Sequence, residues 1–338
     1  MSYLYDFVLF LAKSLSLVLL IGGGLVAVLL AAGRGRARKG QLHCEDLSAS
    51  QREIRDNLEQ QVLDKKALKT LRKTRKAEEK ASSKAPVTPK LFVIDFRGSM
   101  DAHEAAALRE EVSAVLTLAQ PQDEVLVRVE SPGGVVHGYG LCASQLQRLR
   151  DRGLHLTVAV DKVAASGGYM MACVAQHIMA APFAIVGSIG VVAQLPNFHR
   201  LLQKHDIDYE QHTAGAFKRT LTVFGENDDA GREKFREELE AIHQQFKQFI
   251  HRHRPQIDLA QVATGEHWLA SDALALKLVD ELRTSDDYLQ EQCARRQVIR
   301  VQYQLPKRLG ERLGRQVSTA VERGILQALG ALRSSVWR

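Results

Sequence analysis

Few features of this chain point to a metal or a nucleotide. The four cysteines, Cys44, Cys142, Cys173 and Cys293, lie far apart, with no CxxC pair and no Cys/His cluster at zinc spacing. A structural metal site is therefore not expected. The even count permits disulfides, but Cys142 and Cys173 fall in apolar helical patterns, where a free buried thiol is the commoner state. Neither GxGxxG nor GxxxxGK followed by Ser or Thr is present, which argues against a nucleotide site. The GxSxG nucleophile elbow is missing as well, and no internal repeat stands out.

What is present begins with charge. The 338 residues carry a formal net charge of +7, concentrated in Arg34 to Lys76 and Lys307 to Arg338. Such terminal segments suit an acidic surface, membrane lipid head groups as readily as nucleic acid. Ser14 to Ala32 has no charged residue and as a helix would extend ~28 Å, close to the hydrocarbon thickness of a bilayer. It reads as a membrane span. A cleaved signal peptide fits less well, because the run is long and Arg34 and Arg36 crowd any cleavage site. Arg34, Arg36, Arg38 and Lys39 after the span place the bulk of the chain in the cytoplasm by the positive-inside rule.

The chain divides into residues 1–40, anchor and basic flank; 41–89, a charged helical or flexible stalk; 90–303, a folded domain; and 304–338, a basic amphipathic tail. In the stalk, Ile54, Leu58, Val62, Leu68 and Leu71 make only a thin apolar stripe. The tail sets Leu309, Leu313, Val317, Val321, Ile325 and Leu329 at steps of four. It suits either a packing or oligomer contact or a helix lying on the membrane. Between them, strand-like runs at 90–96, 124–130, 154–160, 177–181 and 184–193 alternate with helical patterns at 102–118, 139–150 and 229–253. That alternation predicts an α/β domain with a largely parallel sheet, whose ligands gather where strands run into loops.

Three glycine-rich turns follow strands: "ESPGG" at 130–134, "AASGG" at 164–168 and "VGSIG" at 186–190. Glycine lets the backbone approach a ligand closely and leaves N–H groups free at a helix start, so two such loops together could form an oxyanion hole. Ser166 in the second turn is either a nucleophile or a small residue packing a corner. A serine nucleophile needs a base, and His137, His177, His199 and His212 have no context that singles one out. Lys218, in "TAGAFKRT" after the strand-like "IDYEQH", is the better candidate, with solvated charge as its ordinary alternative. A lysine becomes a base when burial or a nearby cation favours the neutral amine, which a hydroxyl such as that of Ser188 could orient.

The ordered set "SPGG", "AASGGYMMA", "VGSIGVV" and "GAFKRT" resembles the signal peptide peptidase A family of serine proteases, strongly over about Lys90 to Leu282. The resemblance implies Ser166 as the nucleophile of a Ser/Lys dyad, Lys218 as the general base, and Ser188 as the hydroxyl that positions the lysine. It also implies an oxyanion hole from the N–H groups of Gly134 and Gly167, with Gly133 shaping the first loop. The implied fold is a ClpP/crotonase-like spiral of βαβ units. The implied protein is a homo-oligomer of the cell inner membrane that cuts membrane-derived, signal-peptide-like or misfolded polypeptides, with no cofactor, metal or nucleic acid. Family catalytic domains often sit outside the cytoplasm, so the side of the membrane stays open. A crotonase-type acyl-CoA enzyme and a non-catalytic membrane scaffold are the rival readings.

Overall fold

A computed structural model of the protein describes residues 9, 10, 13, 16, 40–82 and 89–304. The expected span at 14–32 falls almost wholly outside the described residues, as does the expected tail after 304. Among the described residues no helix is long and apolar enough to cross a membrane. Leu42–Tyr303 forms one compact unit.

Its strands are β1 (Gln41–Asp46), β2 (Leu91–Arg97), β3 (Glu124–Glu130), β4 (His155–Val160), β5 (Val163–Ala165), β6 (His177–Ala180), β7 (Ile185–Gly187), β8 (His267–Leu269), β9 (Glu281–Leu282) and β10 (Val298–Gln304). The helices are α1 (Leu47–Val62), α2 (Lys65–Ser82), α3 (Ala105–Leu118), α4 (Val136–Asp151), α5 (Gly167–Ala172), α6 (His199–Lys204), α7 (Asp229–His253), α8 (Leu259–Val262), α9 (Ala270–Ala275) and α10 (Ser285–Arg295). One sheet has seven strands in the order β1-β10-β2-β3-β4-β6-β9, and a second has three in the order β5-β7-β8. From β10 through β9 every pairing in the large sheet is parallel.

Parallel strands covered on both faces need continuous apolar runs, and "LFVIDF" in β2 is one. Its side chains alternate. Phe92, Ile94 and Phe96 join a core with Leu108, Val112 and Val115 of α3 and Tyr139, Cys142, Leu146 and Leu149 of α4. Leu91 and Val93 face Leu289 and Cys293 of α10 on the other side. The sheet is thus a middle layer between helices.

Part of the segment that reads as a stalk is docked on this layer. Asp46 caps α1 by accepting the Ala49 N–H at 2.9 Å, and Ser48 is fully buried. The Ser48 hydroxyl accepts the Val298 N–H at 2.7 Å and donates to the Arg296 carbonyl at 3.2 Å. Arg75 of α2 reaches back to Asp56 of α1 at 2.8 Å and also binds Glu59.

Two expectations differ locally from the structure. The apolar run at 184–193 is a strand only over Ile185–Gly187, because Ser188 turns the chain at φ 51°. "IDYEQH" at 207–212 is exposed and irregular, with no strand pairing among the described residues. An apolar/polar alternation makes a strand only where a neighbouring edge accepts its hydrogen bonds.

Candidate active site

The small sheet starts where the large one ends. After β4 the chain turns at Asp161 and Lys162 into β5, whose Ala164 bridges Ser131 just past β3. The Ser131 N–H donates to the Val163 carbonyl and the Ala165 N–H to the Ser131 carbonyl. These bonds lay "SPGG" beside "AASGG", so the first two glycine turns meet at the strand ends. The third joins through β5 and β7, which pair in parallel with Ala165 opposite Gly187, setting Ser166 next to Ser188 along the chain direction.

Ser166 is the N-cap of α5 with φ 51° and ψ −117°, a conformation that L-residues avoid. Two bonds hold it there: its N–H donates to the Gly187 carbonyl at 2.7 Å, and its carbonyl accepts the Met170 N–H at 2.9 Å. The residue is half-buried, and its hydroxyl has no hydrogen bond among the described residues. A serine on a strained strand-to-helix turn is the geometry of a nucleophile elbow, reached here without GxSxG. Gly187 tolerates the close approach because it lacks a side chain. A Cβ there would lie 2.7 Å from the Trp268 ring.

Gly133, at φ +90°, lies against the serine: a Cβ on it would stand 2.7 Å from Ser166 Cβ and 2.8 Å from the Gly167 nitrogen. The Gly133 N–H donates to Ser131 Oγ at 3.1 Å, and the Val135 N–H to the Met100 carbonyl at 2.9 Å. Between them the Gly134 N–H has no partner among the described residues. The same holds for the Gly167 N–H, one of the unpaired donors of a first helical turn. Uncommitted backbone donors close to a hydroxyl can stabilise the negative charge that develops on a carbonyl oxygen when that hydroxyl attacks the carbonyl carbon.

Ser188 donates its N–H to the Glu266 carbonyl at 2.7 Å and its hydroxyl to the Gly265 carbonyl at a long 3.5 Å. Lys218 is not drawn into this group. It sits on an exposed turn where its N–H donates to the Gly215 carbonyl, and no hydrogen bond joins its side chain to Ser166 or Ser188 among the described residues. The four histidines are equally remote in bonding: His177 contacts Glu281 at 3.0 Å, His212 contacts Glu210 at 3.4 Å, and His137 is exposed. None of these, nor His199, is bonded to Ser166 among the described residues.

Two supporting residues escaped the sequence reading. Ser131 is fully buried and Tyr139, the first large side chain of α4, is too. The Tyr139 hydroxyl bonds Ser131 Oγ and donates to the Ser99 carbonyl at 2.8 Å. A tyrosine on an apolar helix face was the only local signal, since a buried phenol needs a partner. Burial pushes the Tyr139 phenol above its ordinary range, so the hydroxyl stays neutral and donates.

All four cysteines are free, and three are buried. Burial pushes the Cys142 thiol up to about 12 and the Cys173 thiol higher still, which removes both as thiolate nucleophiles. No cluster of His, Cys, Asp and Glu among the described residues could hold a metal ion.

The chain is similar to known peptidases. Residues 2–146 match the family model of the peptidase family S49 N-terminal region, and residues 148–298 that of peptidase family S49. A probable protease SohB of Haemophilus influenzae is 59% identical over 67% of this chain and 64% of its own length, slightly under two thirds. Two further probable proteases SohB come from Buchnera aphidicola. The one from the subspecies Acyrthosiphon pisum is 54% identical over 70% of this chain and 71% of its own length. The one from the subspecies Schlechtendalia chinensis is 44% identical over 86% of this chain and 99% of its own length. On both the family match and these relatives, the chain belongs to peptidase family S49.

Proposed function

We propose that this chain is a membrane-anchored serine endopeptidase in which Ser166 attacks the peptide carbonyl and Lys218 is the general base. The observation that carries the reading is the strained Ser166 turn, with Gly133 against it and with the N–H groups of Gly134 and Gly167, the residues that follow Gly133 and Ser166, unpaired among the described residues. Attack places negative charge on the carbonyl oxygen, where those two donors are worth most, while Gly133 keeps the first loop against the serine. As general base, Lys218 takes the hydroxyl proton through its side-chain nitrogen and returns it to the departing amine. Water then hydrolyses the acyl-serine by the same route.

Lys218 must reach the serine for this chemistry, with Ser188 orienting its amine. The segment that carries it exposes Val192, Phe198, Phe217 and Phe224, apolar surface that assembly into a homo-oligomer would cover. Substrates are membrane-derived, signal-peptide-like or misfolded polypeptides, and the uncharged run Ser14 to Ala32 anchors the enzyme in the inner membrane. The two-sheet architecture, with parallel pairing from β10 through β9 in the large sheet, supports assignment to the ClpP/crotonase type of spiral. The test is cleavage of apolar fluorogenic peptides by the full chain and by Ser166→Ala and Lys218→Ala. Loss of turnover in both is expected, and activity surviving in both would overturn the dyad.

A further inference from the structure

We infer that Glu104 is a positioning residue for the oxyanion loop, acting through the backbone of Ser99 and Met100. The inference rests on the reading of Ser166 as nucleophile and Gly134 as oxyanion donor.

The loop is tied on both sides of Gly134, and both ties lead to the same turn. On one side the Gly133 N–H binds Ser131 Oγ, which binds the Tyr139 hydroxyl, which donates to the Ser99 carbonyl. On the other the Val135 N–H binds the Met100 carbonyl. Gly134 itself rests on that carbonyl, since a Cβ there would come within 2.0 Å of the Met100 oxygen. The direction of the Gly134 N–H therefore follows the placement of two consecutive carbonyls, those of residues 99 and 100.

The Ser99 carbonyl also accepts the Ala102 N–H at 3.2 Å, and the Gly98 N–H donates to the Glu130 carbonyl at 3.0 Å; side chains supply the remaining ties to this turn. The Met100 side chain is 70% exposed and holds nothing down. Asp101 and His103, which flank the Ser99 hydroxyl at 2.7 and 2.9 Å, are themselves exposed. Glu104, the N-cap residue of α3, is the sheltered member, and its Oε2 accepts both the Ser99 N–H at 3.1 Å and the Ser99 hydroxyl at 2.8 Å. A single hydroxyl proton serves one acceptor at a time, whereas the Ser99 N–H, among the described residues, is committed to Glu104 alone. Glu104 thus holds Ser99 by its N–H and hydroxyl while Tyr139 holds it by its carbonyl. Bonds to a sheltered carboxylate are lost at greater cost than those to exposed ones.

The experiment measures kcat and KM of the full chain on an apolar fluorogenic peptide, with inhibition by a peptide boronate as a probe of the tetrahedral state. Glu104→Ala is expected to lower kcat by roughly 10- to 100-fold with KM within about twofold, and to weaken the boronate in step. Glu104→Gln is expected to stay within about threefold of wild type, because an amide oxygen can accept both Ser99 donors. A residue that merely supports folding would lower the melting temperature and the active fraction while leaving the boronate affinity of that fraction unchanged. If Glu104→Ala folds poorly, Tyr139→Phe removes the opposite tie and has to show the same kcat-selective loss.

Wild-type kcat in Glu104→Ala, equal losses in the alanine and glutamine variants, or an unchanged boronate affinity each overturns the inference. Ser166→Ala separates the two readings. If it is inactive while Glu104→Ala is normal, only the positioning role fails; if it cleaves like wild type, the serine reading fails and this inference with it.

Discussion

Replacing Ser166 by glycine should make the protein more stable than replacing it by alanine, although both variants lose the nucleophile. At φ 51° and ψ −117° any residue with a Cβ is strained, by about 1–3 kcal/mol for backbone in such sparsely populated regions. Alanine keeps that strain and glycine releases it. Glycine also loses more chain entropy on folding, which offsets about 0.5–1 kcal/mol of the gain. The net is about 1 kcal/mol in favour of glycine, or ~2–4 °C in melting temperature for a domain of this class. Relaxation of the turn cannot erase the strain in the alanine variant, because the Ser166 N–H and carbonyl are both held, by Gly187 and Met170. Urea titrations of both variants, analysed with a common slope, supply the comparison. A glycine variant no more stable than the alanine variant refutes the strained-turn account of the site.

Other perturbations test the surroundings. Gly167→Ala would set a Cβ 2.3 Å from Cγ of the buried Tyr139 ring. A shift of that ring by about 1 Å should cost ~100-fold in peptide turnover, with about 1–3 kcal/mol of stability lost in a thermal melt. Glu111 is 5% exposed, and burial, reinforced by the nearby Asp95 charge and only partly offset by the Tyr303 N–H, raises its carboxyl from the ordinary 4.5 to about 7. The unfolded chain therefore ionises first, and native stability falls as pH rises from 4.5 to 7, by about 3 kcal/mol when complete. Glu111→Gln should match wild type at pH 4 and exceed it at pH 8 in urea titrations. Parallel pH profiles would sink that prediction.

Arg254, with its side chain 3% exposed, binds both Asp280 oxygens at 2.8 and 2.6 Å. Burial opposes ionisation of Asp280, but Arg254 and the Ile178 N–H outweigh it and hold the carboxyl below its ordinary value. Arg254→Met should cost about 3 kcal/mol in chemical denaturation by leaving that carboxylate without its guanidinium partner.

The secondary structure of the domain was largely legible because its signals are local. The strand at Glu124–Glu130 and the helix at Asp229–His253 lie where the pattern places them, since apolar periods of two and 3.6 residues are written in consecutive side chains. The third glycine turn was legible as a loop, but the premature end of β7 was not, because nothing in "AIVGSIGVVA" announces a positive φ at Ser188. Ser131, Tyr139 and Glu104 were invisible as a group. They come from a loop, a helix and the cap of another helix, and only sheet pairing brings them together.

The sequence by itself determined the alternation of strands and helices and the three glycine turns at strand ends. It also supplied the candidate nucleophile, Ser166, all through side-chain patterns that act over a few residues. Only the tertiary structure decided that Ser166 is strained, that Gly133 touches it, and that the Gly134 and Gly167 donors are left uncommitted among the described residues. It also placed Lys218 on an exposed turn of its own. Those outcomes depend on hydrogen bonds between segments far apart in the chain, Ser131 with Val163 and Ser166 with Gly187, and no local period encodes such pairs.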